Sequence, residues 1–539
     1  MFLASASAQA DLDVTAVEAG MTGFVTTETA NGLERFGVTV VGVQASDAGR
    51  SPRVLIRVDA DLIDETGGVA AGMSGSPVTL TVDGEDRLLG ALSAGFPDSD
   101  HQLALVTPIA AMRTQGSAGT SGTAAPLLLA GVDARAAQHL NLTQHADVGA
   151  PLQTGGSAGQ VPARPVAAGQ TVGIGLAYGD LTIAAVGTVT DRSGDDVWLL
   201  GHPFLATGVS DFALLPAEVL TVVGRSSLPF KLANVGREPI GRVTFDGDAG
   251  LTARLGSTPD ALPLTLNVTT DTASQTFNVA VARGTELTPA IVATATQRAV
   301  DLVRNDVGRG HATLTWTFNF QNEAPLTLRD ERVDTRDIAT RVAFASGGPV
   351  AVLDRNPFRD PELTGINLSV QIGADAERVE LVQTALETPT VEPGGTAVAF
   401  VRLQPYRAEP IITSVAVPIP EDAPPGPLTV TFRGASVDDP NAPEGISSPL
   451  DPLEQPTSDR PAILSWAELI GALESRATAN EMVVEVDLED GRRRVARLPQ
   501  DAVVLGLKRL TVTVEDAGEA DATDETDTLD ETPDEEDAP

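Results

Sequence analysis

The run Gly72-Met73-Ser74-Gly75-Ser76-Pro77 sets one serine among small residues in a tight turn and restarts a strand at Pro77. A nucleophilic serine needs a turn that exposes its hydroxyl, and nearby backbone N–H groups, unobstructed by side chains, to receive an oxyanion. Gly72 and Gly75 permit such a backbone, and the N–H groups of Gly72 and Ser74 are the natural donor pair. The Gly-x-Ser-x-Gly elbow of the α/β-hydrolases does not fit, because Ser76 occupies its last position and no βαβ pattern surrounds it. Taken alone, a Gly/Ser-rich hairpin is also an ordinary turn. The candidate bases are five histidines, His101, His139, His145, His202 and His311, and none precedes Ser74. His139, His145 and His311 have no neighbours at metal-ligand spacing, so neither a metal nor a cofactor is expected.

The elements that must position these groups read as strands. Short Val/Thr-rich runs alternate with Gly, Pro, Asp and Asn, with 51 Gly and 37 Pro in 539 residues, too long a chain for one core. Gly20 to Val43 and Arg53 to Ile109 alternate apolar runs and turns as a barrel or sandwich does. Gly116 to Gly122 and Gly155 to Gly169 read as loose linkers flanking a short helical insertion at Leu127 to Leu142, and the β pattern resumes from Thr171 to Val268. Only two segments read as helices. One opens at Thr288-Pro289, with Thr288 as N-cap and Ile291, Ala295, Ala299 and Leu302 on one face. The other follows Ser465-Trp466-Ala467-Glu468, a capping-box spacing.

The serine loop resembles the Gly-Asp-Ser-Gly-Gly-Pro loop of chymotrypsin-like peptidases. The longer stretch from Asp59 through Gly67-Gly68-Val69-Ala70-Ala71-Gly72-Met73-Ser74-Gly75-Ser76-Pro77 resembles the signature of the SpoIVB-type serine peptidases, a branch of that class. Leu88-Leu89-Gly90-Ala91-Leu92, Val106-Thr107-Pro108-Ile109, Gly20-Met21-Thr22-Gly23 and Leu33 to Val38 are similar to the family as well, in a non-sporulation subgroup. The resemblance implies Ser74 as nucleophile and Asp59, fifteen residues earlier, as catalytic acid. Val186-Gly187-Thr188-Val189-Thr190 followed by Leu200-Gly201-His202-Pro203-Phe204 resembles the family's histidine segment, continued by Lys231-Leu232 and by Ile240-Gly241 to Gly250. The serine half therefore precedes the histidine half, a swapped order that triad geometry permits. The implied roles are His202 as general base, Asp59 orienting its ring, and the N–H groups of Gly72 and Ser74 holding the oxyanion. Asp61, Asp64 and Asp211 remain alternative acids, and His101 an alternative base.

The expected fold is mostly β. A chymotrypsin-like double β-barrel with its halves swapped spans 11–320, with a serine barrel at 11–115 and a histidine barrel at 170–270. An immunoglobulin-like β-sandwich at 326–438 and a small α+β unit at 463–514 follow. The stretch 515–539 carries 13 of the 74 Asp/Glu and no Lys or Arg, a composition expected to be disordered. Net charge is −38, about −25 without this tail, and phosphate affinity comes from Lys and Arg, so no nucleic-acid partner is expected. Cysteine is absent, which excludes disulfides and a thiol nucleophile. Residues 1–10 end in an Ala-x-Ala pattern before Asp11, like the remnant of a signal peptide. No other stretch holds 18 consecutive apolar residues, so no membrane span is expected. Together these features lead us to expect an exported serine endopeptidase, in the periplasm, associated with the outer membrane or extracellular. It would perform limited proteolysis of protein substrates, its C-terminal β domains meeting envelope partners. A peptidase-like scaffold without activity is the rival expectation, since a fold does not guarantee its chemistry.

Overall fold

Period-two burial organises the chain from its first strands onward. In Arg53–Asp59 the residues Val54, Ile56 and Val58 are buried and their neighbours are not. The structure is a computed structural model and describes residues 10–45, 51–96, 100–115, 129–131, 133–140, 152–153, 161–162, 164–224, 229–283, 287–375, 377–435, 463–488 and 491–516. Residues 1–9 of the signal-peptide remnant expected at 1–10, the expected Gly116 to Gly122 linker, His145 and most of the acidic tail lie outside the described residues.

The first barrel is built from β1 (Thr22–Thr29), β2 (Gly32–Gln44), β3 (Arg53–Asp59), β4 (Pro77–Val82), β5 (Glu85–Gly95) and β6 (Leu103–Pro108), with helix α1 (Asp61–Thr66) between β3 and β4. It closes in the order β1-β2-β3-β6-β5-β4 around Val25, Val40, Ile56, Leu80, Leu89 and Val106. Helix α2 (Ile109–Thr114) follows it. Within the helical insertion expected at Leu127 to Leu142 the described residues form β7 (Leu129–Ala130), α3 (Ala134–Ala137) and a 3₁₀ turn at Gln138–Leu140, with β8 (Leu152–Gln153) beyond.

The second barrel comprises β9 (Thr171–Gly179), β10 (Ile183–Ser193), β11 (Asp196–Leu199), β12 (Gly208–Val223), β14 (Gly241–Gly247) and β15 (Gly250–Leu255), with β13 (Phe230–Val235) paired to β12. The pairing of β9 with β10 closes the circuit β9-β12-β14-β15-β11-β10. The expected double barrel, serine half first, is the architecture present.

Beyond the barrels the partition differs from the expected one. The second barrel's sheet continues through β16 (Ala261–Thr270) and β17 (Ser274–Ala282) to β18 (Gly310–Phe320), β19 (Leu326–Asp334) and β20 (Leu363–Gly373), with helices α4 (Thr288–Arg304) and α5 (Ile338–Asp354) packed against one another. Leu287 takes the N-cap position of α4 in place of Thr288, without a side-chain cap bond. Residues 326–373, expected to start the sandwich, thus belong with the barrels, because β20 pairs in parallel with β16.

The chain divides into two compact units, 1–376 with 465–474, and 377–464 with 475–539. In the second unit β21 (Arg378–Leu386), β22 (Thr390–Val391), β23 (Thr396–Pro405), β24 (Ile411–Pro418) and β25 (Gly426–Gly434) combine with β26 (Glu481–Leu488), β27 (Gly491–Pro499), β28 (Val503–Leu505) and β29 (Leu507–Val514). They form two sheets, β24-β23-β21-β28 and β22-β29-β25-β26-β27, over one core that includes Val401, Val417, Phe432, Val484 and Val512. The small α+β unit expected at 463–514 is therefore not separate: its strands complete the sandwich. Its helix α6 (Trp466–Glu474) packs in the first unit against β19, where the Trp466 ring meets Phe320 edge to face. The Ser465 hydroxyl caps α6 by accepting the Glu468 N–H at 3.2 Å, as the capping-box spacing requires. Among the described residues no helix is long and apolar enough to cross a membrane.

Candidate active site

The serine loop spans the two barrels. It leaves α1 at Gly67 and returns to the first barrel at Pro77, and between them it is bonded to the second barrel residue by residue. The Ala71 N–H donates to the Pro229 carbonyl at 2.8 Å, and the Lys231 N–H donates to the Ala71 carbonyl at 2.9 Å. The Thr188 hydroxyl donates to the Gly72 carbonyl and the Thr188 N–H to the Ser74 carbonyl, both at 2.8 Å. The Thr190 hydroxyl donates to the Gly75 carbonyl at 2.7 Å. Both loop glycines are demanded by this seating. Gly72 has φ +90° and Gly75 φ +97°, and a Cβ on Gly75 would stand 1.9 Å from the Thr188 oxygen and 2.6 Å from the Leu200 nitrogen.

The loop's amides divide into two sets. Met73 N–H donates to the Ala70 carbonyl, Gly75 N–H to Leu92 and Ser76 N–H to Met73. Gly72 N–H and Ser74 N–H make no hydrogen bond to another described residue. A trans peptide points its C=O and N–H in opposite directions. Binding the Ala71 carbonyl to Lys231 therefore turns the Gly72 N–H away from that strand. The Met73 carbonyl, held by the Ser76 N–H at 2.9 Å and the Ser76 hydroxyl at 2.6 Å, turns the Ser74 N–H away likewise. Ser76 is fully buried, and with its own proton on the Met73 carbonyl its oxygen accepts the Thr27 O–H at 2.8 Å, which explains a serine where the chymotrypsin-like loop has glycine.

His202 approaches from the end of β11. Leu200 and Gly201 both take positive φ, +67° and +70°, and a Cβ on Gly201 would stand 2.6 Å from the Ala91 Cβ. The same strand, β5, receives Gly75 through Leu92, and the Thr188 carbonyl accepts the Leu200 N–H at 3.3 Å. The loops of Ser74 and His202 are thus fixed to the same two strands, β5 and β10. His202 is buried, and its Nδ1–H donates to the Pro203 carbonyl at 2.7 Å, since a carbonyl only accepts. Nε2 is then the unprotonated nitrogen, and it is buried with no hydrogen-bond partner among the described residues. Burial pushes the ring down to about 4, against the pull of the Pro203 bond, and the Arg53 charge adds to the fall. His202 is accordingly a neutral imidazole at neutral pH, with a lone pair on Nε2. No hydrogen bond joins it to the Ser74 hydroxyl among the described residues; that hydroxyl, part-exposed, makes none.

Asp59 is not brought to His202. It ends β3, exposed, whereas the His202 segment meets the beginning of that strand, where the Arg53 guanidinium donates to the Gly201 carbonyl at 3.1 Å and the Asp248 carbonyl at 3.2 Å. Six residues of strand separate Arg53 from Asp59, on the order of 20 Å. The ring is oriented by its own neighbour's carbonyl. Among the other candidates, Asp64 faces His101, Oδ1 to Nε2 3.4 Å, so the alternative acid and alternative base stand together at the surface. Asp211 lies 3.4 Å from the Arg242 guanidinium and accepts the Asp260 N–H, while Asp61 lies in the first turn of α1. His139 meets Gln297 at 3.2 Å and His311 meets Glu331 at 3.4 Å, both far along the chain from the loop.

Two positions carry structure that their sequence context did not reveal. Asp246, on β14, is 1 % exposed and gathers the loop after His202: Oδ1 accepts the Phe204 N–H at 2.8 Å, and Oδ2 accepts Leu205 at 2.7 Å and Thr207 at 3.4 Å. Burial raises its carboxyl above the ordinary value while these N–H groups pull it back. Lys231, matched above only as part of a segment, is fully buried beneath Gly72.

A family model described as SpoIVB peptidase S55 matches residues 7–102. The matched segment holds the first barrel as far as His101, with Asp59 and the Ser74 loop, and ends before the histidine segment. It supports a serine peptidase of SpoIVB type, a class whose substrates are proteins. No curated protein and no solved structure matches the chain.

Proposed function

We propose that the protein is a serine endopeptidase that cuts protein substrates through an acyl-enzyme, with Ser74 as nucleophile, His202 as base, and the N–H groups of Gly72 and Ser74 as the oxyanion site. The observation that carries the reading is the amide pattern of the loop: the two N–H groups an oxyanion needs have no partner among the described residues, and the Ala71 and Met73 carbonyls of the same peptides are pinned the other way. The proton of Ser74 Oγ passes to His202 Nε2 as Oγ bonds the substrate carbonyl carbon, and the carbonyl oxygen takes the negative charge. When the intermediate collapses, the C–N bond breaks and Nε2–H protonates the departing amine. Water repeats the sequence to release the acid. Throughout, Nδ1–H stays on the Pro203 carbonyl, which fixes the tautomer in the place expected of Asp59. A neutral carbonyl stabilises the transient imidazolium less than a carboxylate does, so a slow, selective enzyme suits this site better than a digestive one. We place it in the cell envelope on the Ala-x-Ala pattern before Asp11.

Labelling with a fluorophosphonate, followed by peptide mapping, tests the assignment. Wild type should be modified at Ser74, while Ser74→Ala and His202→Ala should remain unmodified at wild-type stability. Equal labelling of Ser74→Ala sinks the nucleophile. An unlabelled, folded wild type favours instead a binding scaffold that retains the barrels.

A further inference from the structure

We infer that Lys231 and Thr188 form a buried clamp that presets the oxyanion-binding conformation of the Gly72–Ser74 loop, making Lys231 a positioning residue for the proposed acyl transfer. The inference rests on the peptidase reading for its consequence, though not for its geometry. Lys231 reaches both carbonyls that flank the Gly72 amide and Cα. Its backbone N–H holds the Ala71 carbonyl at 2.9 Å. Its Nζ donates to Thr188 Oγ1 at 3.1 Å, and the Thr188 hydroxyl donates to the Gly72 carbonyl at 2.8 Å. The methylene stem fills the space beneath Gly72, where a Cβ would stand 3.2 Å from Lys231 Cβ and 3.4 Å from Cδ. Rotation of the Ala71–Gly72 peptide, which would bury the Gly72 N–H, has to break the first of these bonds and displace that stem.

Packing alone does not call for lysine here. A buried ammonium carries a desolvation cost that a methionine or leucine of similar volume would avoid. Nζ also donates to the Thr171 hydroxyl at 3.1 Å, and the Thr171 N–H donates to the buried Glu28 carboxylate, itself paired with Arg164. Burial brings the Nζ group down to about 7, with the Glu28 charge opposing. Because the ammonium only donates, Nζ takes a lone pair of Thr188 Oγ1 and leaves that O–H to donate to Gly72, so the direction of the pair of bonds is set by the lysine and not by the threonine. Thr188 also bonds the Ser74 carbonyl and Leu200 through its backbone, so the clamp lies between the nucleophile and histidine loops.

The test compares full-length wild type, Lys231→Met, Thr188→Val and Thr188→Ser by two readouts. The first is fluorophosphonate labelling, resolved into the maximal inactivation rate and the inhibitor constant. The second is amide hydrogen exchange in the peptide covering the serine loop, measured in a Ser74→Ala background so that it does not depend on activity. The clamp requires faster exchange in Lys231→Met and Thr188→Val, with recovery in Thr188→Ser, which keeps the hydroxyl. It also requires a fall of about 100-fold in the inactivation rate, the scale of a lost oxyanion donor, with little change in the inhibitor constant. Loop exchange in Lys231→Met equal to that of its parent overturns the clamp whatever the labelling does. Faster exchange in a protein whose wild type never labels retains the clamp and rejects the peptidase reading. A Thr188→Ser variant as impaired as Thr188→Val also overturns it, since the hydroxyl would then not be the agent.

Discussion

Protonating His202 should silence the site, at a pH well below the usual histidine range. The ring is buried, its Nδ1 is committed to the Pro203 carbonyl and its Nε2 has no partner among the described residues, so a second proton gains nothing there and must sit near the Arg53 guanidinium. The folded group therefore titrates at about 4 against 6.5 when unfolded. The sign follows from linkage. Below 6.5 the unfolded chain binds a proton that the fold refuses, so this group's contribution is complete above pH 6.5 and is lost as the pH falls through about 4. At about 1.4 kcal/mol per pH unit the loss amounts to about 3 kcal/mol. The rate of fluorophosphonate labelling at Ser74, measured from pH 8 to pH 4 with circular dichroism to exclude unfolding, should stay level through pH 5 and halve at about 4. His101→Gln should leave that profile in place. A midpoint near 6.5 would refute the reasoning, and its loss in His101→Gln would transfer the base to the exposed His101–Asp64 pair.

Gly75→Ala forces a Cβ to 1.9 Å from a backbone oxygen at φ +97°, where neither partner is a flexible side chain. It should cost about 3 kcal/mol or more by overpacking and left-handed strain, read as a lowered urea midpoint. Gly84→Ala, at φ +78° in open space, should cost only about 1 kcal/mol by the same measurement. Asp246→Asn replaces one acceptor oxygen by an NH₂ that must face the Leu205 or Phe204 N–H. It should destabilise by about 1–3 kcal/mol and slow Ser74 labelling, while loop exchange at 70–77 stays unchanged.

The nucleophile loop was legible because its constraint is local. Small residues at 72 and 75 are required by the loop's own backbone, and their spacing around Ser74 is visible in six letters. The supports of that loop and of the histidine loop were not legible, because each is a contact between distant segments: Thr188 to Gly72 and Lys231 to Ala71 for the first, Asp246 to Leu205 for the second. A buried aspartate and a surface aspartate are the same letter, and only the fold distinguishes Asp246 from Asp59. Helix α5 was missed for a related reason. Its Gly347-Gly348-Pro349 reads as a turn, yet Gly347 is there because α4 crosses so closely that a Cβ would stand 2.6 Å from the Pro289 oxygen. In β19 and β20, alternation states only that one face is buried, not which sheet the strand joins. That ambiguity produced the misplaced sandwich boundary.

The swapped order of the two halves ceases to be an obstacle once the hydrogen bonds are followed. Each barrel closes on itself, β1 onto β4 in the first and β9 onto β10 in the second, so neither needs a strand from the other to complete its circuit. What joins them at the site is a set of loop contacts, with Gly75 and Gly201 each pressed against backbone or Cβ atoms of the opposite barrel and Thr188 bonding both loops. Contacts of this kind depend on where the loops end and not on which barrel was synthesised first. The order places one connection between the two halves, from α2, which ends at Thr114, to β9, which starts at Thr171. The serine and histidine loops themselves remain free to be set by side chains, and those side chains, Thr188, Lys231 and Asp246, all belong to the second barrel.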